Sequence, residues 1–258
     1  MCIRDSPIIV HPDVRRMLMT QRALIEGSRA LALWTAQALD VSEHHADPHI
    51  RQQADDFVAL MTPVVKAFLT DMGSECANLG LQVFGGHGYI RDNGQEQLVR
   101  DARITQIYEG TNGVQAMDLL GRKVLHSRLF ERFSEPVSAY LAAGSGNAAL
   151  AEFIAPVAGA FARLDNVTRM LMTRAATNPE ETGAAAVDYL RLFSLTALGF
   201  LWARMADVSL PQGNAEFHKA KLTTARFFMQ KLLPQTAALE AAILAGPSSV
   251  MELEAAGF

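Results

Sequence analysis

Apolar residues recur in pairs every seven positions near the start of the chain: Met17 and Leu18, Leu24 and Ile25, Leu31 and Ala32, Ala38 and Leu39. Such spacing keeps one stripe of a helix facing one way, so it predicts a long bundle helix and not a strand. Asp13, after Pro12, can cap its start, and the polar EHHADPH at 43–49 marks its end. A second stripe, of period 3.6, runs through Met61, Val65, Phe68, Met72, Cys76, Leu79 and Val83 and closes at Gly85 and Gly86. Pro63 lies in its early part. Lacking an N–H and crowding the preceding turn, it predicts a kink or a fresh start with Thr62 as cap.

A turn signal at Asp92, Asn93 and Gly94 precedes a short predicted helix from Gln95 to Arg103. Another helix is expected from Asn112 to Leu125, with Gln115 three residues after Asn112 in a capping-box relation. The cluster Gly144, Ser145, Gly146 and Asn147 reads as a linker. Three further helical stretches follow at 148–177, 183–207 and 214–245, separated by Asn178-Pro179 and by Pro211, Gln212, Gly213 and Asn214. No stretch alternates for long as a strand would. The expected fold class is all-α, two helical bundles in series, with domains at 1–133 and 134–258.

Composition narrows the function. Half of the 258 residues are hydrophobic, enough for real cores, and the formal charge of −4 offers no basic field for nucleic acid or an anionic membrane. Cys2 and Cys76 have no zinc spacing, which predicts a reduced, cytoplasmic setting. The uncharged stretch Leu192–Ala203 falls short of the roughly 20 apolar residues a spanning helix needs, so no membrane span is expected. The opening MCIRDS has no apolar core and is no secretory signal; a truncated start is expected. His44, His45 and His49 have the surroundings of a solvated loop, and no metal is expected there.

Chemistry concentrates between Gln82 and Gln115. Glu109 is predicted on a short loop between two helices, beside Tyr108 and a glycine, Gly110, that permits close approach of a ligand. A carboxylate set against an aromatic ring and an apolar ligand loses hydration and becomes a stronger base. Read locally, the same residue is equally a solvated loop glutamate. Similarly, the GGxG turn at Gly85, Gly86 and Gly88 is by itself an ordinary helix terminator.

The two stretches QVFGGHGY (82–89) and RDARITQIYEGTNGVQ (100–115) resemble the acyl-CoA dehydrogenase family, and the resemblance runs from about His11 to Leu125. It implies the C-terminal helical bundle of that family. It also implies FAD as cofactor, an acyl-CoA substrate, electron-transfer flavoprotein as partner and a homodimeric assembly. In the family, the glutamate matched by Glu109 removes an α-proton of the thioester while a β-hydride leaves for the flavin, giving a trans-2-enoyl-CoA. The glutamate's own backbone N–H helps hold the carbonyl oxygen as charge develops there. Thr111 and Gln115 match positions that contact FAD. Gln82, Gly85, Gly86 and Gly88 match a segment that reaches the neighbouring subunit's FAD pyrophosphate, and Tyr108 and Gly110 flank the acyl group. Arg100, Asp101 and Arg103 are expected to form an ion-pair set that holds the Glu109 loop.

The family's amino-terminal helical domain, its β-domain and an FAD-binding arginine motif have no counterpart in this sequence, so the chain is expected to turn over little alone. Beyond about Phe133 it is similar to the extra helical domain of a longer bacterial branch that includes methylthiopropionyl-CoA dehydrogenase. Two alternatives stay open: an acyl-CoA oxidase, which shares the base but passes electrons to oxygen, and a helical scaffold without catalysis.

Overall fold

The computed structural model describes residues 6–213 and 215–257. Cys2, most of the MCIRDS opening and Asn214 lie outside the described residues. Ten α-helices are found among them: α1 (Pro12–His44), α2 (Pro48–Phe84), α3 (Gln95–Ile104), α4 (Asn112–Met117), α5 (Glu131–Gly144), α6 (Ala151–Arg174), α7 (Glu180–Ser209), α8 (Glu216–Phe227), α9 (Gln235–Leu244) and α10 (Ser248–Met251). There is no strand among the described residues. Both α4 and α8 widen at their ends into π-helical turns, at Asp118–His126 and Phe228–Leu232. The helix α5 was not anticipated from the sequence.

Helices α1 and α2 form a long antiparallel pair. Asp47 starts α2, its carboxylate accepting from the His49 N–H at 2.8 Å. Instead of a fresh start at Pro63, α2 runs through it as one helix, and Thr62 does not cap it: its hydroxyl donates back to the Val58 carbonyl at 2.8 Å. Pro63 is buried among Leu60, Met61, Val64 and Ala67, so core packing offsets the one backbone bond that the proline removes. Of the apolar pairs on α1, Met17, Leu24 and Leu31 are buried, whereas Leu18 and Ile25 face outward.

Apolar packing is continuous across residues 133 and 134. Phe133 is completely buried, its ring 4.5 Å from Phe193 of α7 and 6.3 Å from Trp34 of α1. Trp202, also fully buried, donates from its indole Nε1 to the Ala23 carbonyl at 3.2 Å. Gly27 accommodates this crossing, because a Cβ there would come within 2.9 Å of the Trp202 nitrogen. One hydrophobic cluster therefore runs from Ala23 to Ile243, with α7 as its centre. The turn at 145–147 connects α5 to α6 on the outside of it.

Two segments, Pro48–Tyr89 and Glu180–Gln212, are long and apolar enough to cross a membrane by length and composition, a property hidden by counting only uncharged runs. The apolar window of the second is 78% buried inside the protein. Its apolar surface is already consumed by the core.

Buried polar groups are mostly paired, as burial demands. The Tyr189 and Thr168 hydroxyls meet at 2.7 Å. Tyr140 is an exception: its hydroxyl is shielded and has no partner among the described residues, and desolvation, with the charge of Asp207, pushes the phenol up to about 12. An unpaired buried hydroxyl costs about 1–3 kcal/mol. Tyr140→Phe is therefore expected to raise the urea midpoint, by an amount equivalent to about 1 kcal/mol; a lowered midpoint would reveal a bond at that oxygen.

Candidate active-site loop

The loop between α3 and α4 carries Glu109, and its backbone is unusual. Glu109 has φ 57° and is followed by Gly110 at φ 78°. A left-handed conformation costs a non-glycine residue about 1–2 kcal/mol and persists only where surrounding contacts enforce it. The Glu109 carbonyl accepts from Gln115 Nε2 at 3.2 Å, and the Gly110 carbonyl accepts from Lys66 Nζ at 2.7 Å. Gly110 also fits tightly: a Cβ would sit 3.0 Å from the Gln115 amide nitrogen.

Asn112 ties the loop to α2. Its Oδ1 accepts from Lys66 Nζ at 2.8 Å, and its Nδ2 donates to Asp71 Oδ1 at 2.6 Å and to the Ala67 carbonyl at 3.0 Å. Asp71 Oδ1 also accepts from Gln106 Nε2 at 2.6 Å. The backbone N–H of Asn112 closes the loop on the Gln106 carbonyl at 3.1 Å. The expected ion-pair set is thereby corrected. Gln97 donates to Asp101 and Arg103 donates to Gln106, but Arg100, Asp101 and Arg103 form no ion pair with one another among the described residues. Lys66, Thr70, Asp71, Gln106 and Asn112 hold the loop instead. Sequence reasoning missed them because spacing on α2 shows a polar line beside the stripe but not which loop docks on it.

The cap is also reassigned. Thr111, not Asn112, is the N-cap of α4, its hydroxyl accepting from the Val114 N–H at 3.4 Å. Gln115 consequently closes on Glu109 and not on a cap. With the carbonyls of Glu109 and Gly110 anchored, the N–H groups of Glu109, Gly110 and Thr111 have no partner among the described residues. Three consecutive free donors at a helix start favour an anionic or developing negative group.

The surroundings are open and apolar. Tyr108 is 54% exposed, and Ile104, Ile107, Val114 and Met117 lie uncovered nearby. Glu109 is itself exposed, so this chain does not supply the dehydration expected of its carboxylate. Exposed apolar residues gathered in one short segment of this kind suit a surface that a ligand or partner covers.

Gln82, at the end of α2, and Gly85 and Gly86, after it, are exposed as well. Gly85 has φ 62°, and nothing lies within 4 Å of where a Cβ would be at either glycine. This leaves bare backbone facing outward, the form in which chain can approach a phosphate closely. Gly88 differs. It is buried, and a Cβ would come within 2.6 Å of the Leu81 carbonyl oxygen, so packing and not ligand approach demands glycine there. Gly88→Ala is expected to lower stability by about 1–3 kcal/mol, measured by urea unfolding, because the backbone has little room to yield. Asn93 braces the same turn, donating to the His87 carbonyl at 2.7 Å. No hydrogen bond joins this turn to the Glu109 loop among the described residues.

Comparison with known proteins gives this geometry a context. Residues 3–125 match the family described as "Acyl-CoA dehydrogenase, C-terminal domain" and residues 133–254 match "Acetyl-CoA dehydrogenase C-terminal like". The chain is 42% identical over 243 residues to 3-methylmercaptopropionyl-CoA dehydrogenase of Ruegeria pomeroyi, aligning 90% of this chain with 40% of that protein. It is 32% identical over 268 residues to a broad-specificity linear acyl-CoA dehydrogenase of Mycobacterium tuberculosis, covering 96% of this chain and 43% of that one. It thus spans 40–43% of the length of these curated relatives. Among solved structures, an acyl-CoA dehydrogenase from Bacillus anthracis complexed with FAD superposes with a TM-score of 0.76 at 17% identity, over 95% of this chain and 43% of that one. Acyl-CoA oxidase3 from Yarrowia lipolytica does so at 0.61 and 18%, over 98% and 44%. Likeness at these identities speaks for the fold alone, which dehydrogenases and oxidases share. The two successive family matches and the 42% identity carry the assignment: the chain belongs to the acyl-CoA dehydrogenase family, of which it holds the C-terminal helical part.

Proposed function

We propose that this chain is the C-terminal half of an FAD-dependent acyl-CoA dehydrogenase, with Glu109 as the base that removes the substrate's α-proton. The observation that carries this reading is the enforced left-handed backbone at Glu109. Strain of about 1–2 kcal/mol is maintained there by Gln115 and Lys66, yet among the described residues no hydrogen bond or ion pair uses the carboxylate it presents.

The chemistry follows from the residues. An acyl-CoA thioester laid across the apolar face of Tyr108 and Val114 would cover the carboxylate and remove its water. In that dry setting the carboxylate takes the α-proton at an oxygen of its side chain. The free N–H of Glu109 donates to the thioester carbonyl oxygen as negative charge moves onto it, which stabilises the transition state more than the ground state.

The residues present fit FAD as a polar, anionic ligand. Thr111 and Gln115 stand at the start of α4 beside unpaired N–H groups, while Gln82, Gly85 and Gly86 offer an open backbone edge to the pyrophosphate of a neighbouring subunit's FAD. When bound, FAD would supply the acceptor for the hydride leaving the β-carbon. The outward line of Leu18 and Ile25 on α1 supports burial against a second copy. Electron-transfer flavoprotein is the proposed electron acceptor. A division of the chain into units at 1–133 and 134–258 remains part of the proposal, supported by two family matches that end at 125 and begin at 133, close to that boundary.

The deciding experiment mixes the full-length enzyme with an acyl-CoA without air and follows flavin bleaching. Bleaching is expected in the native enzyme and lost in Glu109→Gln. Persistence at the native rate would move the base elsewhere. Fast reoxidation by air, with no transfer to electron-transfer flavoprotein, would favour the oxidase.

A further inference from the structure

We infer that Lys66 is a positioning residue for this reaction, setting the orientation of Glu109 by clamping the backbone that follows it. The inference rests on Glu109 being the base. Lys66 lies at the middle of α2, a helix fixed on either side by the buried Val64, Ala67 and Phe68, so the root of its side chain cannot drift. Its ammonium reaches two acceptors separated from it by more than forty positions: the Gly110 carbonyl at 2.7 Å and Asn112 Oδ1 at 2.8 Å.

Charge-assisted bonds are roughly twice as strong as neutral ones. The second acceptor matters as much as the first. Asn112 is itself fastened to α2 through Asp71 and the Ala67 carbonyl, so Lys66 links the strained peptide to an already rigid anchor. Lys66 carries no ion pair among the described residues. Its charge is spent on the loop.

Three consequences follow from the geometry. Gln115 holds the Glu109 carbonyl and Lys66 holds the next one, so both peptide planes that flank Gly110 are fixed. With Gln115 on the Glu109–Gly110 peptide and Lys66 on the Gly110–Thr111 peptide, Glu109 stays at φ 57° instead of relaxing to the ordinary right-handed region. That rotation would move the carboxylate relative to its donor N–H. Because the two groups belong to one residue, the clamp that Lys66 forms together with Gln115 aligns the base with the α-carbon and the donor with the carbonyl oxygen. A misplacement of about 1 Å at a reacting group costs on the order of 100-fold in rate.

The test uses full-length holoenzyme, with rates expressed per bound flavin. Lys66→Met keeps the unbranched stem of the side chain up to Cε and removes the ammonium. Its flavin-reduction rate is expected to fall about 10–100-fold, with KM within about twofold and FAD content unchanged, since a positioning loss falls on the transition state. The isotope effect with α-deuterated acyl-CoA should rise as proton abstraction becomes limiting. Lys66→Ala removes what propylamine can replace, and added propylamine is expected to restore part of the rate. A merely structural lysine would show neither signature.

Three results would overturn the inference: native rates in Lys66→Met, a loss confined to KM, or failure of both variants to retain FAD, which would make Lys66 structural. Glu109→Gln measured alongside separates the two claims. If that variant retains native bleaching, the base assignment fails. If it is inactive while both Lys66 variants match the native enzyme, only the role of Lys66 fails.

Discussion

Glu109→Gln in the full-length enzyme is expected to slow flavin reduction by about 100- to 10,000-fold, the usual span for loss of a general base. The amide keeps the shape of the side chain and its hydrogen-bonding ability but cannot take a proton. Substrate binding should change little, because the apolar face of Tyr108 and Val114 is untouched. The loss therefore belongs in kcat, with KM near native. A companion variant separates chemistry from folding. Glu109→Gly should abolish turnover just as completely yet stabilise the isolated chain by about 1 kcal/mol, since glycine adopts φ 57° without strain. A residue that costs stability where it stands, and whose removal improves the fold, is kept for something other than folding. If Glu109→Gly instead destabilised the chain, its backbone would owe its conformation to a contact of the side chain.

Trp202→Ala is expected to destabilise the chain by about 3–5 kcal/mol, the usual cost of emptying a fully buried aromatic site. The indole is completely buried, and the Ala23 carbonyl would lose its partner. Since Trp202 lies on α7 and Ala23 on α1, the cost is shared across the whole length of the sequence. Unfolding in urea should remain a single transition, with the fluorescence of Trp34 and the far-ultraviolet dichroism changing together. Trp34 is a suitable reporter because it is then the chain's one tryptophan and packs 4.6 Å from Phe57 and 5.4 Å from Phe200. Two separated transitions would show that the front and back helices hold separate cores.

This second expectation reverses a natural reading of the sequence. Glycine, serine and asparagine at 144–147 look like a joint between domains, and the family matches do break between residues 125 and 133. Composition reports that a turn lies there. It does not report that Phe133, Phe193 and Trp34 meet on either side of it. Pro63 teaches the same lesson at smaller scale. Local rules place a break in α2, but neighbours that bury the proline outweigh one lost backbone bond.

What the sequence determined alone was the all-helical class, the seven-residue stripe of α1, the short helix α3 and the α3–α4 loop that carries Glu109. Each depends on contacts within a few residues, which periodicity and turn chemistry encode directly. Tertiary structure alone decided how the loop is held. Lys66 and Asp71 reach Gly110, Gln106 and Asn112 only because α2 and the α3–α4 loop dock side by side, and such pairings leave no periodic trace in the chain. The same holds for the single core, where Ala23 and Trp202 become neighbours through burial of apolar surface, a force that is blind to distance along the sequence.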